Sequence, residues 1–342
     1  MNHGHHWFTQ VRKTVQLLLG RDDRELPDLP DSLFSVPAFE LPDSVFDPVG
    51  PAGDKPPAGA RFLHGTYTND AGSRAYKLYI PSCWKGQPLP LVVMLHGCAQ
   101  DPDDFAAGTQ MNAVAEERRC FVVYPAQSAD ANNSRCWNWF NALDQKHGQG
   151  EPSIVAGITR DIMESYPVAP GQVYIAGMSA GGAMAVIVGT LYPELFCAVG
   201  VHSGLPFASA RDLPSALSAM KRGASSAREA KSAGLPIIVF HGDQDTTVHP
   251  VNGEDLMEQG LRSHPHGPAA QPSRLAGRVP DGHAYTRIKH WLDDGSPLAE
   301  HWVIHGAGHA WSGGSAAGSY TDGKGPDASR EMMRFFATIG AG

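Results

Sequence analysis

The sequence predicts an α/β fold in which a mostly parallel central sheet carries helices on both faces. From residue 61 onward, short β-branched or aromatic runs alternate with helical stretches, a pattern that implies parallel strands joined by crossover helices. Several of the runs are continuously apolar, as strands covered on both faces must be. One of them passes through a glycine-flanked serine straight into a helix of small residues.

Composition fits this picture. Of 342 residues 42% are apolar and 18% charged, enough hydrophobic material for a sizeable core. The net charge of -8 gives no electrostatic reason to bind a polyanion, so nucleic acid is not an expected partner. Gly, Pro, Asp or Lys interrupts every hydrophobic run well short of the ~20 residues a membrane-crossing helix needs, so no transmembrane segment is expected. The five cysteines form no C-x-x-C pair, and no metal is expected.

The chain divides into three parts. In residues 1–20, Phe8, Val11, Val15, Leu18 and Leu19 fall near helical spacing and predict a short amphipathic helix, its apolar face turned to the core or to a partner. No A-x-A cleavage pattern follows, so no signal peptide is expected and a cytoplasmic location is the default. Residues 21–60 read as an extended leader. Nine acidic side chains stand against three basic ones between Arg21 and Lys55, and frequent prolines remove amide donors and extend the backbone. Within the leader, Leu29-Pro-Asp-Ser-Leu-Phe34 recurs as Leu41-Pro-Asp-Ser-Val-Phe46, a repeat suited to anchoring the tail or to docking a partner. Residues 61–342 are expected to form the α/β domain.

In that domain the expected strands are 76–80, 91–95, 120–124, 173–176, 198–202, 237–240 and 300–304, with 285–290 as a further strand-like run. Segments 76–80 and 285–290 are the candidates for antiparallel edges. Helices are expected over 111–117, 154–165, 180–190, 256–262 and 329–339. Ligands of such sheets bind at the carboxyl ends of the strands.

Gly177-Met-Ser-Ala-Gly181 lies at one of these ends, between the strand Val173-Tyr-Ile-Ala176 and the helix that follows. This is the context of a nucleophile elbow, with Ser179 exposed on a tight turn. A serine hydroxyl needs a base, and the base a carboxylate to orient it. Two later loops offer both: His241-Gly-Asp-Gln-Asp245 after one strand and His305-Gly-Ala-Gly-His309 after another. Asp245 and His309 are preferred to Asp243 and His305. Asp245 lies further into its loop, Asp243 reads as a turn former, and Gly306-Ala-Gly308 provides a flexible approach for His309. His241, His249 and His305 read as structural. For the oxyanion, one amide should come from Ala180 and the second from the loop His96-Gly97-Cys98, where Cys98 is the candidate. Gly318 to Gly325 nearly spells a phosphate-binding loop but has glycine where a metal-binding hydroxyl belongs, so it reads as an ordinary loop.

Taken together, His96-Gly-Cys-Ala-Gln100, Cys136-Trp-Asn-Trp-Phe140, the elbow, His202-Ser-Gly-Leu205, His241-Gly-Asp-Gln-Asp245 and Gly308-His-Ala-Trp-Ser312 resemble the polyhydroxybutyrate-depolymerase family of serine esterases, relatives of feruloyl and acetylxylan esterases. The resemblance covers residues 61–340. It implies an α/β-hydrolase fold, ester hydrolysis without a cofactor, Ser179, Asp245 and His309 at the triad positions, and a disulfide between Cys98 and Cys136. The substrate it implies is an ester, small or polymeric. Family members are commonly extracellular. Trp137, Trp139 and Trp311 flank the crevice loops as candidates for an apolar wall against the acyl chain, with a plain core role as the alternative. Two rival readings are a non-catalytic protein that binds granules or partners through its leader, and an acyltransferase.

Overall fold

The structure is a computed structural model in which residues 57–224, 232–266 and 271–339 are described. The amphipathic helix and nearly all of the acidic leader lie outside them. Among the described residues ten strands build one sheet in the order β1-β2-β4-β3-β5-β6-β7-β10-β9-β8. Six central strands run parallel: β3 (Leu89–Leu95), β4 (Phe121–Pro125), β5 (Val168–Met178), β6 (Ala198–His202), β7 (Ile237–Gly242) and β10 (Pro297–His305). Both margins are antiparallel. The hairpin of β1 (Arg61–Asn69) and β2 (Gly72–Ile80) adds to β4, and β9 (Ala284–Trp291) with β8 (Ser273–Arg278) adds to β10. A parallel pair, β11 (Trp311–Ser312) and β12 (Thr321–Asp322), stands apart.

Alternation along the strands divides the core in two. Leu91, Val93 and Leu95 of β3, with Val173 and Ile175 of β5, meet α3 (Gly150–Ser165), α4 (Ala180–Leu191), α5 (Leu213–Arg222) and α6 (Val251–Ser263). Val92, Met94, Tyr174 and Ala176 point the other way, onto α1 (Pro102–Thr109), α2 (Met111–Arg118) and α7 (Ala328–Ile339). Each aliphatic side chain so buried contributes about 1.5–3 kcal/mol.

The strands and helices expected from residue 61 onward are present, and 76–80 and 285–290 are antiparallel as anticipated. Four of the longer elements went unread. β1 is half exposed along its length and alternates weakly. β8 is almost wholly exposed and carries Arg274 and Arg278. The other two, α1 and α5, open on side-chain caps: Asp101 accepts from the Asp103 and Asp104 amides ahead of α1, and Asp212 forms a capping box with Ser215 ahead of α5. Among the described residues no helix is long and apolar enough to cross a membrane.

Candidate active site

Ser179 occupies the turn between β5 and α4 at φ 56° and ψ -121°, a conformation that an L-residue adopts only under strain. Packing of the backbone behind it imposes this. A Cβ added to Gly181 would lie 2.1 Å from the Leu95 carbonyl oxygen and 2.4 Å from that of His96, and one on Gly177 would lie 2.4 Å from the Gly181 carbonyl. Helix α4 thus approaches β3 through bare backbone, which cannot yield as a side chain would. We expect Gly181→Ala to cost about 3 kcal/mol or more, seen as a fall in Tm of roughly 5–10 °C in a thermal melt followed by circular dichroism.

The loop after β3 closes against this turn. A Cβ on Gly97 would lie 3.6 Å from Ser179 Cβ and 3.1 Å from Gln100 Oε1. Gln100 fastens the loop, accepting from the Gly97 amide at 3.0 Å and donating through Nε2 to Asp104 at 2.8 Å. The Ala99 amide donates to the Ser134 carbonyl at 2.7 Å, and Cys98 is disulfide-bonded to Cys136. Among the described residues the Cys98 and Ala180 amides make no hydrogen bond. The two donors nominated for the oxyanion therefore remain open beside Ser179.

The carboxylate and the imidazole meet at the ends of β7 and β10. His309 Nδ1 donates to Asp245 Oδ2 at 2.7 Å, while Asp245 Oδ1 accepts from the Thr247 and Val248 amides at 2.9 and 2.8 Å. Burial alone would raise the Asp245 carboxyl, but hydrogen bonds from His241 and His309 outweigh it and hold the group well below the usual carboxylate range. Asp243 forms a second pair. His305 Nδ1 donates to Asp243 Oδ2 at 2.9 Å, the Gly306 amide donates to Oδ1 at 2.8 Å, and His305 Nε2 bonds to Thr286 Oγ1 at 2.9 Å. Both ring nitrogens of His305 are thus occupied, and Asp243 clamps the neighbouring loop where a local turn was expected. His309 Nε2 and Ser179 Oγ carry no hydrogen bond among the described residues. The Asp–His pair is formed; a Ser–His bond is not, and such contacts commonly tighten only when substrate binds.

His202 ties the two halves together, a role sequence reasoning missed. Its carbonyl accepts from the Ser179 amide at 2.9 Å, and its Nε2 accepts from the Ser312 amide at 3.0 Å, three residues beyond His309. Its ring stacks on Trp311 with centroids 5.2 Å apart. Burial, with a contribution from His241 and His309, pushes its pKa down to about 3, which keeps the imidazole neutral and Nε2 able to accept.

The aromatic wall is not where it was expected. Trp137, Trp139 and Trp311 are 0%, 5% and 1% exposed, so none presents an open face to the crevice. Trp137 and Trp139 belong to one core cluster and Trp311 to the other, where its Nε1 donates to Ser329 Oγ at 3.1 Å. Rings of this size bury most of their area as core, which outweighs a place on the rim.

Comparison with known proteins adds a lineage. The family model described as Esterase PHB depolymerase matches residues 74–281. Poly(3-hydroxyalkanoate) depolymerase C of Paucimonas lemoignei is 29% identical over 256 residues, covering 71% of this chain and 59% of that protein's length. Feruloyl esterase B of Thermothelomyces thermophilus is 26% identical over 200 residues, covering 53% of this chain and 67% of that protein. Among solved structures, an acetyl xylan esterase from Aspergillus awamori superposes with a TM-score of 0.61 at 19% identity, over 81% of this chain and 99% of that one, a likeness of fold.

Proposed function

The chain belongs to the PHB-depolymerase family of esterases, whose model covers more than half of it, and from that premise we propose that it hydrolyses carboxylic esters through an acyl-enzyme on Ser179. The observation that carries this reading is the Asp245–His309 hydrogen bond in the loops beside the strained Ser179 turn. Ser179 Oγ attacks the acyl carbonyl carbon while His309 Nε2 takes its proton. The Cys98 and Ala180 amides hold the oxyanion. On collapse of the tetrahedral intermediate the ester C–O bond breaks, and His309 returns the proton to the departing alcohol. Water then repeats the sequence on the acyl-enzyme, releasing the acid and restoring the hydroxyl. Asp245 fixes the imidazole tautomer and stabilises its charged form.

For substrate class we favour short-chain and 3-hydroxyacyl esters, including polyhydroxybutyrate or its oligomers. The depolymerase and the feruloyl and acetylxylan esterases to which the chain is similar support both this and the feruloyl or acetylxylan alternative. A panel of p-nitrophenyl esters of increasing acyl length, 3-hydroxybutyrate oligomers, methyl ferulate and amorphous polyhydroxybutyrate decides between them. We expect turnover of the short p-nitrophenyl esters and the hydroxybutyrate oligomers. Preference for methyl ferulate would move the assignment to the aromatic esters, and inertness toward every member would overturn it.

A further inference from the structure

We propose that Glu151 is a positioning residue that sets the orientation of the Gly97–Cys98 peptide, and with it the aim of the Cys98 amide at the oxyanion. The inference rests on the ester-hydrolase reading above, in which that amide is a donor to the transition state. It concerns a side chain that lies outside the triad and outside every motif singled out in the sequence.

Glu151 sits in the first turn of α3 and is 4% exposed. A buried carboxylate must be met by donors, since leaving it unpaired costs several kcal/mol. Its donors come from three other segments of the chain. Oε2 accepts from the Asn138 amide at 2.7 Å. Oε1 accepts from Asn138 Nδ2 at 2.8 Å, from Arg74 Nη2 at 3.0 Å and from Gln127 Nε2. Arg74 Nε in turn donates to Gln127 Oε1 at 2.8 Å, so Gln127 is gripped at both ends of its amide.

Two routes lead from this hub to Cys98. In the first, the Gln127 backbone amide donates to His96 Nε2 at 3.0 Å, which leaves the ring proton on Nδ1, and Nδ1 bonds to the Gly97 carbonyl oxygen at 2.8 Å. That carbonyl and the Cys98 N–H belong to one peptide unit. In a planar trans peptide the two point in opposite directions, so holding the oxygen aims the amide. Burial pushes the His96 pKa down to about 4, so the ring keeps this tautomer through the neutral range. In the second route, Gln127 Nε2 donates to the Cys136 carbonyl at 2.9 Å, two residues from the Asn138 that Glu151 holds, and Cys136 is joined to Cys98 by the disulfide. One route fixes the peptide by its oxygen and the other by its side chain, and Glu151 anchors both.

An oxyanion donor acts only as charge develops, so a misaimed amide lowers kcat and leaves ground-state binding nearly intact. The test compares wild type with Glu151→Gln on a soluble p-nitrophenyl ester, and measures the Ki of a trifluoromethyl ketone, which adds to Ser179 to form a stable oxyanion. We expect kcat to fall by about tenfold, part of the ~10²–10³ lost when such a donor is removed outright. KM should stay within about twofold and Ki should rise in step with kcat. Asn138→Ala, which removes one side-chain donor at the part-buried end of the hub, should give the same split with a smaller loss, and it serves if Glu151→Gln does not fold. An unchanged kcat, or a kcat loss with an unchanged Ki, overturns the proposal. A wild-type protein that neither hydrolyses the ester nor binds the ketone would instead overturn the reading beneath it.

Discussion

Ser179→Ala is expected to lower kcat/KM on a soluble ester by about 10⁶-fold, the scale seen when the nucleophile of a serine hydrolase is removed, with no loss of stability. The chemical part follows from what remains. Without Oγ no acyl-enzyme forms, and only the amide donors and substrate binding act on an attacking water. The stability part follows from the hydroxyl having no hydrogen-bond partner among the described residues, so its deletion breaks nothing in the fold. Alanine also meets the same strain as serine at φ 56°. A thermal melt should be superimposable on wild type, and stoichiometric labelling by a phosphonate ester should disappear. Residual turnover within about tenfold of wild type would place the nucleophile elsewhere, since a triad member contributes far more than that.

The second large effect separates the two acid–base pairs at the rim. Asp245→Asn should cost about 10⁴-fold in kcat, because an amide at this position stabilises the imidazole tautomer with its proton on the wrong nitrogen. Asp243→Asn should stay within about tenfold of wild type: its partners are His305 and the Gly306 amide, and Thr286 already occupies the other nitrogen of His305. The order reverses if Asp243 orients the base. The Asp245 substitution has a further signature. Its carboxyl is held below the usual carboxylate range, so the stability it contributes is fully present above the unfolded-chain value and drains away as pH falls toward the depressed one. The Tm difference between Asp245→Asn and wild type should therefore be largest near neutral pH and shrink in acid.

The parallel core was legible because strands such as Leu91–Leu95 and Ile237–Phe240 are apolar on both faces, a pattern that needs no tertiary partner to be recognised. The elbow was legible for a similar reason, since its glycines answer a local demand of the backbone. Elements whose stability comes from caps or from a neighbouring hairpin left weaker traces, as β1 and α1 illustrate. Within the site, the loops that hold Asp245 and His309 could be named in advance, but two aspartates and two histidines do form two pairs. The free nitrogen of His309 and the deeper burial of its pair tell them apart. For the tryptophans the core alternative holds and the wall does not, because proximity in sequence to crevice loops says nothing about which way a ring turns. The Glu151 hub was illegible in principle: Arg74, Gln127, Asn138 and Glu151 come from four separated segments, and none is unusual where it stands.

Strand β8, one of the two edges of the sheet among the described residues, has a bearing on how this protein behaves in crowded solution. An exposed ladder of amides and carbonyls is a template on which another molecule can crystallise strand upon strand, the first step toward fibrils. Arg274 and Arg278 lie along that ladder and are exposed. A second copy aligned antiparallel on it and centred on Ala276 would bring the two guanidinium groups opposite each other, an arrangement that disfavours that pairing. The hairpin that widens the sheet thus also carries its own deterrent to colloidal growth.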